Sequence, residues 1–243
     1  MQPLKNMQPN APPETIACGL FSKKEAAGLI AGGTRHIHSS PHASHDACAK
    51  VTQESLAKKS LHPYPWEQHR DTHELFLNAS AQRYQFINQV IQRTGVSTKR
   101  DLKEKLESLL EELVTNSIYH AYQNADASPR YARKDSIVLS EAERITIRFA
   151  SGKSGIFLQV SDQGGSFKFS DVAKSFGRCY GSSHQQIEAK EGGAGLGLYM
   201  SYEVTTHLKV VSVAGRETSI SCWLADKTAY APEVFSFNFF EWR

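Results

Sequence analysis

The sequence predicts an α/β protein of α+β type in two layers, with helices on one face of a mixed, largely antiparallel sheet. Three observations carry that expectation. Apolar residues recur at helical spacing across residues 101–122, so one long helix must bury a stripe. Two pairs of short segments with alternating or β-branched apolar residues, 145–149 with 156–160 and 208–213 with 219–225, are each joined by a glycine-bearing turn and read as hairpins. The order helix, helix, hairpin, glycine loop, helix, hairpin sets helices between antiparallel strand pairs, which a layered sandwich accommodates.

Taken in order, residues 1–70 are rich in Ser, His, Lys and Pro and poor in large apolar residues, too poor to fold alone. They contain two short helical candidates, 23–30 stopped by Gly32-Gly33 and 43–58, and end in the turn-like run Leu61-His62-Pro63-Tyr64-Pro65-Trp66. A strand candidate at 74–77 leads to Ser80, read as the N-cap of a helix that places Tyr84, Ile87 and Ile91 on one face. The long helix follows, with Leu102, Leu106, Leu109, Leu110, Leu113 and Val114 as its stripe. Residues 123–143 are polar, contain Pro129 and have no sustained period, so they read as a long irregular excursion.

In the first hairpin Ile145, Ile147 and Phe149 alternate with Thr146 and Arg148, and its second strand ends at Asp162. Residues 166–191 look loop-like, and the glycines of 192–197 open a helix over 198–207. The second hairpin turns at Ala214-Gly215-Arg216. The tail residues Phe235, Phe237, Phe239, Phe240 and Trp242 are too apolar for water, so this segment is expected to pack as an edge strand or engage a partner.

Composition narrows the class. With 243 residues, 40% of them hydrophobic and 22% charged, the chain can bury one sizeable core. Its net charge is +3 and no dense basic block interleaves with aromatics, so a nucleic-acid partner is not expected. Cys18, Cys48, Cys179 and Cys222 are widely spaced with no Cys-x-x-Cys pair, which argues against a zinc site or a disulfide framework and for reduced thiols in a cytoplasm. No run of about 18 apolar residues offers a membrane span, and residues 1–13 are polar and Pro-rich, so a cytoplasmic protein with no membrane association is expected.

Glu112 and Asn116 lie four apart on the long helix, so a carboxylate and an amide project from one face. A Glu there can take a proton from a water or hydroxyl, and an Asn carbonyl oxygen is a hard ligand suited to Mg2+. A solvated helical face is the plain alternative. Asp162 ends a strand before Gln163-Gly164-Gly165, where it can accept a hydrogen bond from an exocyclic amine or simply close a turn. Gly193, Gly195 and Gly197, with Leu196 between the last two, precede a helix whose bare N–H groups can cradle phosphate. The Lys-Ser/Thr of a P-loop and the βαβ context of a dinucleotide fingerprint are both missing there.

Other candidates are weaker. The cluster His36, His38, His42 and His45 lies in a Ser-rich stretch with only Asp46 nearby, so a metal site is not expected. His120 sits inside the long helix, which argues against a self-contained histidine kinase. Lys174, Arg178, Cys179 and Lys190 fall in an expected lid, where a cation can meet phosphates or stay solvated.

The conjunction of these elements, with Thr218 on the last hairpin, points to a family. The run from Glu111 through Glu112-Leu113-Val114-Thr115-Asn116 to Tyr122 resembles the N box of the gyrase, HSP90, histidine-kinase and MutL ATPase superfamily, particularly as it occurs in bacterial anti-sigma-factor serine kinases. Val160-Ser161-Asp162-Gln163-Gly164-Gly165-Ser166-Phe167 resembles its first glycine box, and residues 192–200 its second. The resemblance spans about 74–225 and implies a Bergerat-type ATP-binding fold. It implies Glu112 as general base, Asn116 as the Mg2+ ligand, and Asp162, next to Gly164, as acceptor for the adenine amine. It further implies Gly193, Gly195, Leu196 and Gly197 as the phosphate loop, with Thr218 helping to hold the adenine. Ser166 and Glu217 depart from the glycines usual at their positions.

The same resemblance implies a serine/threonine protein kinase or ATPase that binds ATP and Mg2+ and acts on a protein partner: a sigma factor, an anti-anti-sigma-like protein or another regulator. The alternative is a non-catalytic, ATP-dependent interaction module of a two-component-like pathway. A homodimer is compatible with either. Residues 31–37 and 43–58 resemble the end of a receiver domain, so 1–70 is expected to be a poorly structured or receiver-like extension and 71–243 the ATP-binding domain.

Overall fold

The computed structural model describes residues 15–41, 46–69, 71–126, 128–180, 197–226 and 231–242. Among these residues eight strands form one mixed sheet: β1 (Ile16–Gly19), β2 (His36–Ser39), β3 (His73–Leu77), β4 (Ile145–Gly152), β5 (Gly155–Asp162), β6 (His207–Val213), β7 (Glu217–Ala225) and β8 (Phe235–Trp242). Their spatial order is β1-β2-β8-β6-β7-β5-β4-β3. All neighbours pair antiparallel except β1 with β2 and β6 with β8. The α/β class read from the sequence is the one observed.

Among the described residues six α-helices accompany the sheet: α1 (Lys23–Ala31), α2 (Ala47–Lys58), α3 (Arg83–Thr94), α4 (Arg100–Tyr119), α5 (Phe169–Tyr180) and α6 (Gly197–Val204). In α4 every residue of the expected stripe, Leu102, Leu106, Leu109, Leu110, Leu113 and Val114, is buried. At about 1.5–3 kcal/mol for each such side chain, that stripe is what holds the helix against the sheet. The α1 helix starts with a capping box of Ser22 and Glu25 and stops at Gly32.

Four expectations are corrected. Ser80 does not cap α3: its hydroxyl accepts from the Ile137 N–H at 2.9 Å, and Ser80–Gln82 is a 3-10 turn before the helix. The buried face of α3 is Phe86, Ile87, Val90, Ile91 and Thr94, while Tyr84 is 67% exposed. At 3.6 residues per turn the centre of that stripe lies roughly 90° from Tyr84, which explains its exclusion. Part of the loop expected over 166–191 is the helix α5, whose Phe169, Val172 and Phe176 recur at helical spacing and are buried. Residues 181–191 lie outside the described residues. The tail is an inner strand: β2 flanks β8 on one side and β6 on the other, so residues 235–240 are buried.

The N-terminal segment completes the fold. Ala17, Phe21, Ala26, Ala27, Ile30 and Ile37 belong to the same apolar core as α4. On the other face of the sheet Tyr64 and Trp66 pack with Ala150, Phe157, Val211 and Phe240, with Cys48 and Val51 of α2 alongside. Glu67 in the same segment accepts from Lys209 Nζ at 2.6 Å in a buried ion pair. His36 and His38 are core residues of β2, bonded to Asn238 Oδ1 at 3.2 Å and Thr52 Oγ1 at 2.9 Å, and burial lowers them to about 3 and about 4. His42 and His45 lie outside the described residues. Among the described residues no helix is long and apolar enough to cross a membrane.

Candidate functional site

Antiparallel register brings the first two polar groups together. Asp162, the last residue of β5, lies opposite Thr218 near the start of β7, and both are buried. The long helix α4 passes this end of the sheet and turns Glu112, Asn116, Ser117 and His120 toward it; spacings of four, five and eight residues put these side chains on one helical face. The first residue of α6, Gly197, closes the arrangement. These residues line a cavity of about 580 Å3 with apolar walls that include Val172 and Ile220. That volume lies within the roughly 300–1,000 Å3 of small-molecule sites.

At the inner end, Asp162 Oδ2 accepts from the Ser117 hydroxyl at 3.2 Å and Oδ1 from the Gly164 N–H at 3.0 Å. Burial pushes this carboxyl up to about 7, against those hydrogen bonds, which hold it down. Gly164 is needed for close approach, because a Cβ there would stand 2.0 Å from the Ala121 carbonyl oxygen. Ser166 ties the same turn to the end of α4 by donating to the His120 carbonyl at 3.0 Å. Ser166, one of the two departures from the glycine pattern, thus has a structural bond of its own.

At the outer end, Glu112 Oε1 accepts from Asn116 Nδ2 at 2.7 Å. An amide that spends its nitrogen on Glu112 offers its carbonyl oxygen to a cation, and an oxygen from Asn beside a carboxylate is the donor set Mg2+ takes. Gly197 sits so close that a Cβ on it would fall 1.7 Å from Glu112 Oε1. The donor set and the glycine-lined approach therefore fit a Mg-bound phosphate chain.

Of the residues singled out from the sequence, Glu112, Asn116, Asp162, Gly197 and Thr218 line this one cavity. Gly193, Gly195, Leu196 and Lys190 lie outside the described residues. Arg178 also lines the cavity, from α5 and not from a lid loop, while Lys174 and Cys179 are on α5 without lining it. Ser117, the partner of Asp162, was missed because it lies about 100° around the helix from Asn116, at the edge of the face that Glu112 and Asn116 share. Arg133 was missed too, and nothing in the irregular excursion marks it.

Residues 101–228, more than half of the chain, match the model of the family described as histidine kinase-, DNA gyrase B-, and HSP90-like ATPase. The chain belongs to this ATPase family. Within the histidine kinase-, DNA gyrase B- and HSP90-like ATPases it is similar to serine-protein kinase RsbW of Bacillus pumilus (strain SAFR-032), at 26% identity over 121 residues covering 50% of this chain and 65% of that protein. It is also similar to serine-protein kinase RsbW of Bacillus velezensis (strain DSM 23117 / BGSC 10A6 / LMG 26770 / FZB42), at 27% over 121 residues covering 50% of this chain and 64% of the relative. The matched part thus spans slightly less than two thirds of these relatives.

Proposed function

We propose that the chain is a Mg-ATP-binding signalling regulator that phosphorylates a serine or threonine on a protein partner. What carries this reading is the single cavity shared by Glu112, Asn116, Asp162, Gly197 and Thr218, residues drawn from four separate elements. The similarity to serine-protein kinases supports the reaction class. The partner in this reading is a sigma factor, an anti-anti-sigma-like protein or another regulator.

In this reading Asp162 accepts a hydrogen bond from the adenine amine, with Ser117 and Gly164 fixing its carboxylate and Thr218 beside it. The α6 N-terminus at Gly197, following Gly193, Gly195 and Leu196, offers N–H groups and a favourable dipole to the phosphates. Asn116 Oδ1 would hold Mg2+, which when bound would neutralise charge on the transferred phosphoryl group. The acceptor hydroxyl oxygen forms a bond to the γ-phosphorus, the bridging β–γ bond breaks, and ADP leaves with the bonding pair. Glu112 receives the hydroxyl proton. The proposed domain division, 1–70 as extension and 71–243 as ATP-binding domain, has residues 16–39 adding two strands to the sheet.

Capture of partners with and without ATP, followed by γ-phosphate transfer and phosphosite mapping, tests the proposal. The expected result is a phosphorylated Ser or Thr on a captured protein, with transfer lost in Glu112→Gln while ATP binding persists. ATP binding without transfer to any captured partner would instead identify a non-catalytic, ATP-dependent interaction module.

A further inference from the structure

Arg133 belongs to the irregular excursion between α4 and β4, outside the three motifs that carry the proposed site. It is the second residue of a tight turn in which the Asp135 N–H donates to the Ala132 carbonyl at 2.9 Å and the Ala132 N–H donates to Asp135 Oδ2 at 2.9 Å. The Tyr119 hydroxyl, at the end of α4, donates to the Asp135 carbonyl at 3.5 Å and ties that turn to the helix. These bonds fix the backbone of Arg133 at one place, while its side chain stays exposed.

That place is the outer end of the main cavity. Arg133 lines it together with Glu112, Asn116 and Gly197. It also lines an adjoining cavity of about 300 Å3 between α4 and α6, which shares Glu112, Gly197 and Met200 with the first. Arg133 and Glu112 thus stand together where the two cavities meet. Among the described residues the Arg133 guanidinium forms no ion pair. Its recorded hydrogen bond runs from Nη2 to His120 Nε2 at 3.4 Å, and a neutral ring is needed for that nitrogen to accept. Burial, then the Arg133 charge, hold the His120 imidazole below its ordinary value, consistent with that role.

A guanidinium without a direct ion-pair contact, lining the same cavity as a helix N-terminus and a candidate cation ligand, has the fork geometry that grips phosphate oxygens. We propose that Arg133 binds the terminal phosphate of the nucleotide and positions it at the junction of the two cavities, a contact supplied by the 123–143 excursion. This inference rests on the reading that ATP occupies the main cavity.

Calorimetric titration of ATP, ADP and adenosine into the wild-type chain, Arg133→Ala and Arg133→Lys tests it. A charge-assisted contact at a partly solvated site predicts roughly ten-fold weaker ATP binding in Arg133→Ala. ADP affinity is expected to change much less, adenosine affinity not at all, and Arg133→Lys to recover part of the loss. The unchanged adenosine affinity excludes a merely structural defect. If Arg133→Ala keeps the wild-type ratio of ATP to ADP affinity, this inference is overturned and the nucleotide reading stands. A wild-type chain that binds no ATP overturns both.

Discussion

Asp162→Asn should make the protein more stable near pH 8 and a poorer ATP binder at the same time. In the folded chain the carboxyl titrates at about 7 against an ordinary value of 3.8, because it is buried and only partly compensated by Ser117 and Gly164. Between those two pH values the folded state keeps a proton that the unfolded state has released. The stabilising contribution is therefore complete below 3.8 and is lost as pH rises through about 7. At about 1.4 kcal/mol per pH unit, the span corresponds to a loss of roughly 4 kcal/mol from pH 4 to pH 8. Asparagine has the same shape and no charge, so the variant escapes this loss. It also gives up a charge-assisted bond to the adenine amine, worth about 1.5–3 kcal/mol, or roughly 10–150-fold in affinity. Urea unfolding of both proteins at intervals from pH 4 to 8 gives the difference curve, in which titrations common to both cancel, and an ATP titration at pH 8 gives the affinity. A difference curve that stays flat, or ATP affinity unchanged within two-fold, would refute the assignment of Asp162.

Two glycines separate chemistry from folding. Gly164→Ala puts a Cβ 2.0 Å from the Ala121 carbonyl oxygen, a backbone atom that cannot step aside; a loss of about 2 kcal/mol or more in urea unfolding is expected, with weakened nucleotide binding. Gly197→Ala also collides, at 1.7 Å, but with the end of the Glu112 side chain, which can rotate away. Its melting temperature should change little, since alanine favours the helix by up to about 1 kcal/mol, whereas displacement of the base should cut γ-phosphate transfer by roughly 100-fold.

Elements whose signal is local were legible in the sequence. The α4 stripe and the β4–β5 and β6–β7 hairpins follow from periods of about 3.6 and 2 along short runs, and the Glu112 to Asn116 spacing follows from the same helix. What escaped depends on distant partners. The position of β8 is decided by β2, which arrives from the other end of the chain and covers an edge that the tail alone would have exposed. The cap expected of Ser80 lost to a long-range bond with Ile137. The helix α5 is the exception: its signal was local, since Phe169, Val172 and Phe176 recur at helical spacing, and the polar residues between them hid it. Register across β5 and β7 joins Asp162 to Thr218, a pairing that no single motif contains.

A titration of ATP into the folded chain with and without Mg2+, repeated on Asn116→Ala, tests the nucleotide cavity most directly. The account predicts saturable binding of one ATP, tightened by Mg2+ in the wild type and insensitive to Mg2+ in the variant. A folded wild-type chain that gives no saturable signal with ATP, with or without Mg2+, would contradict it.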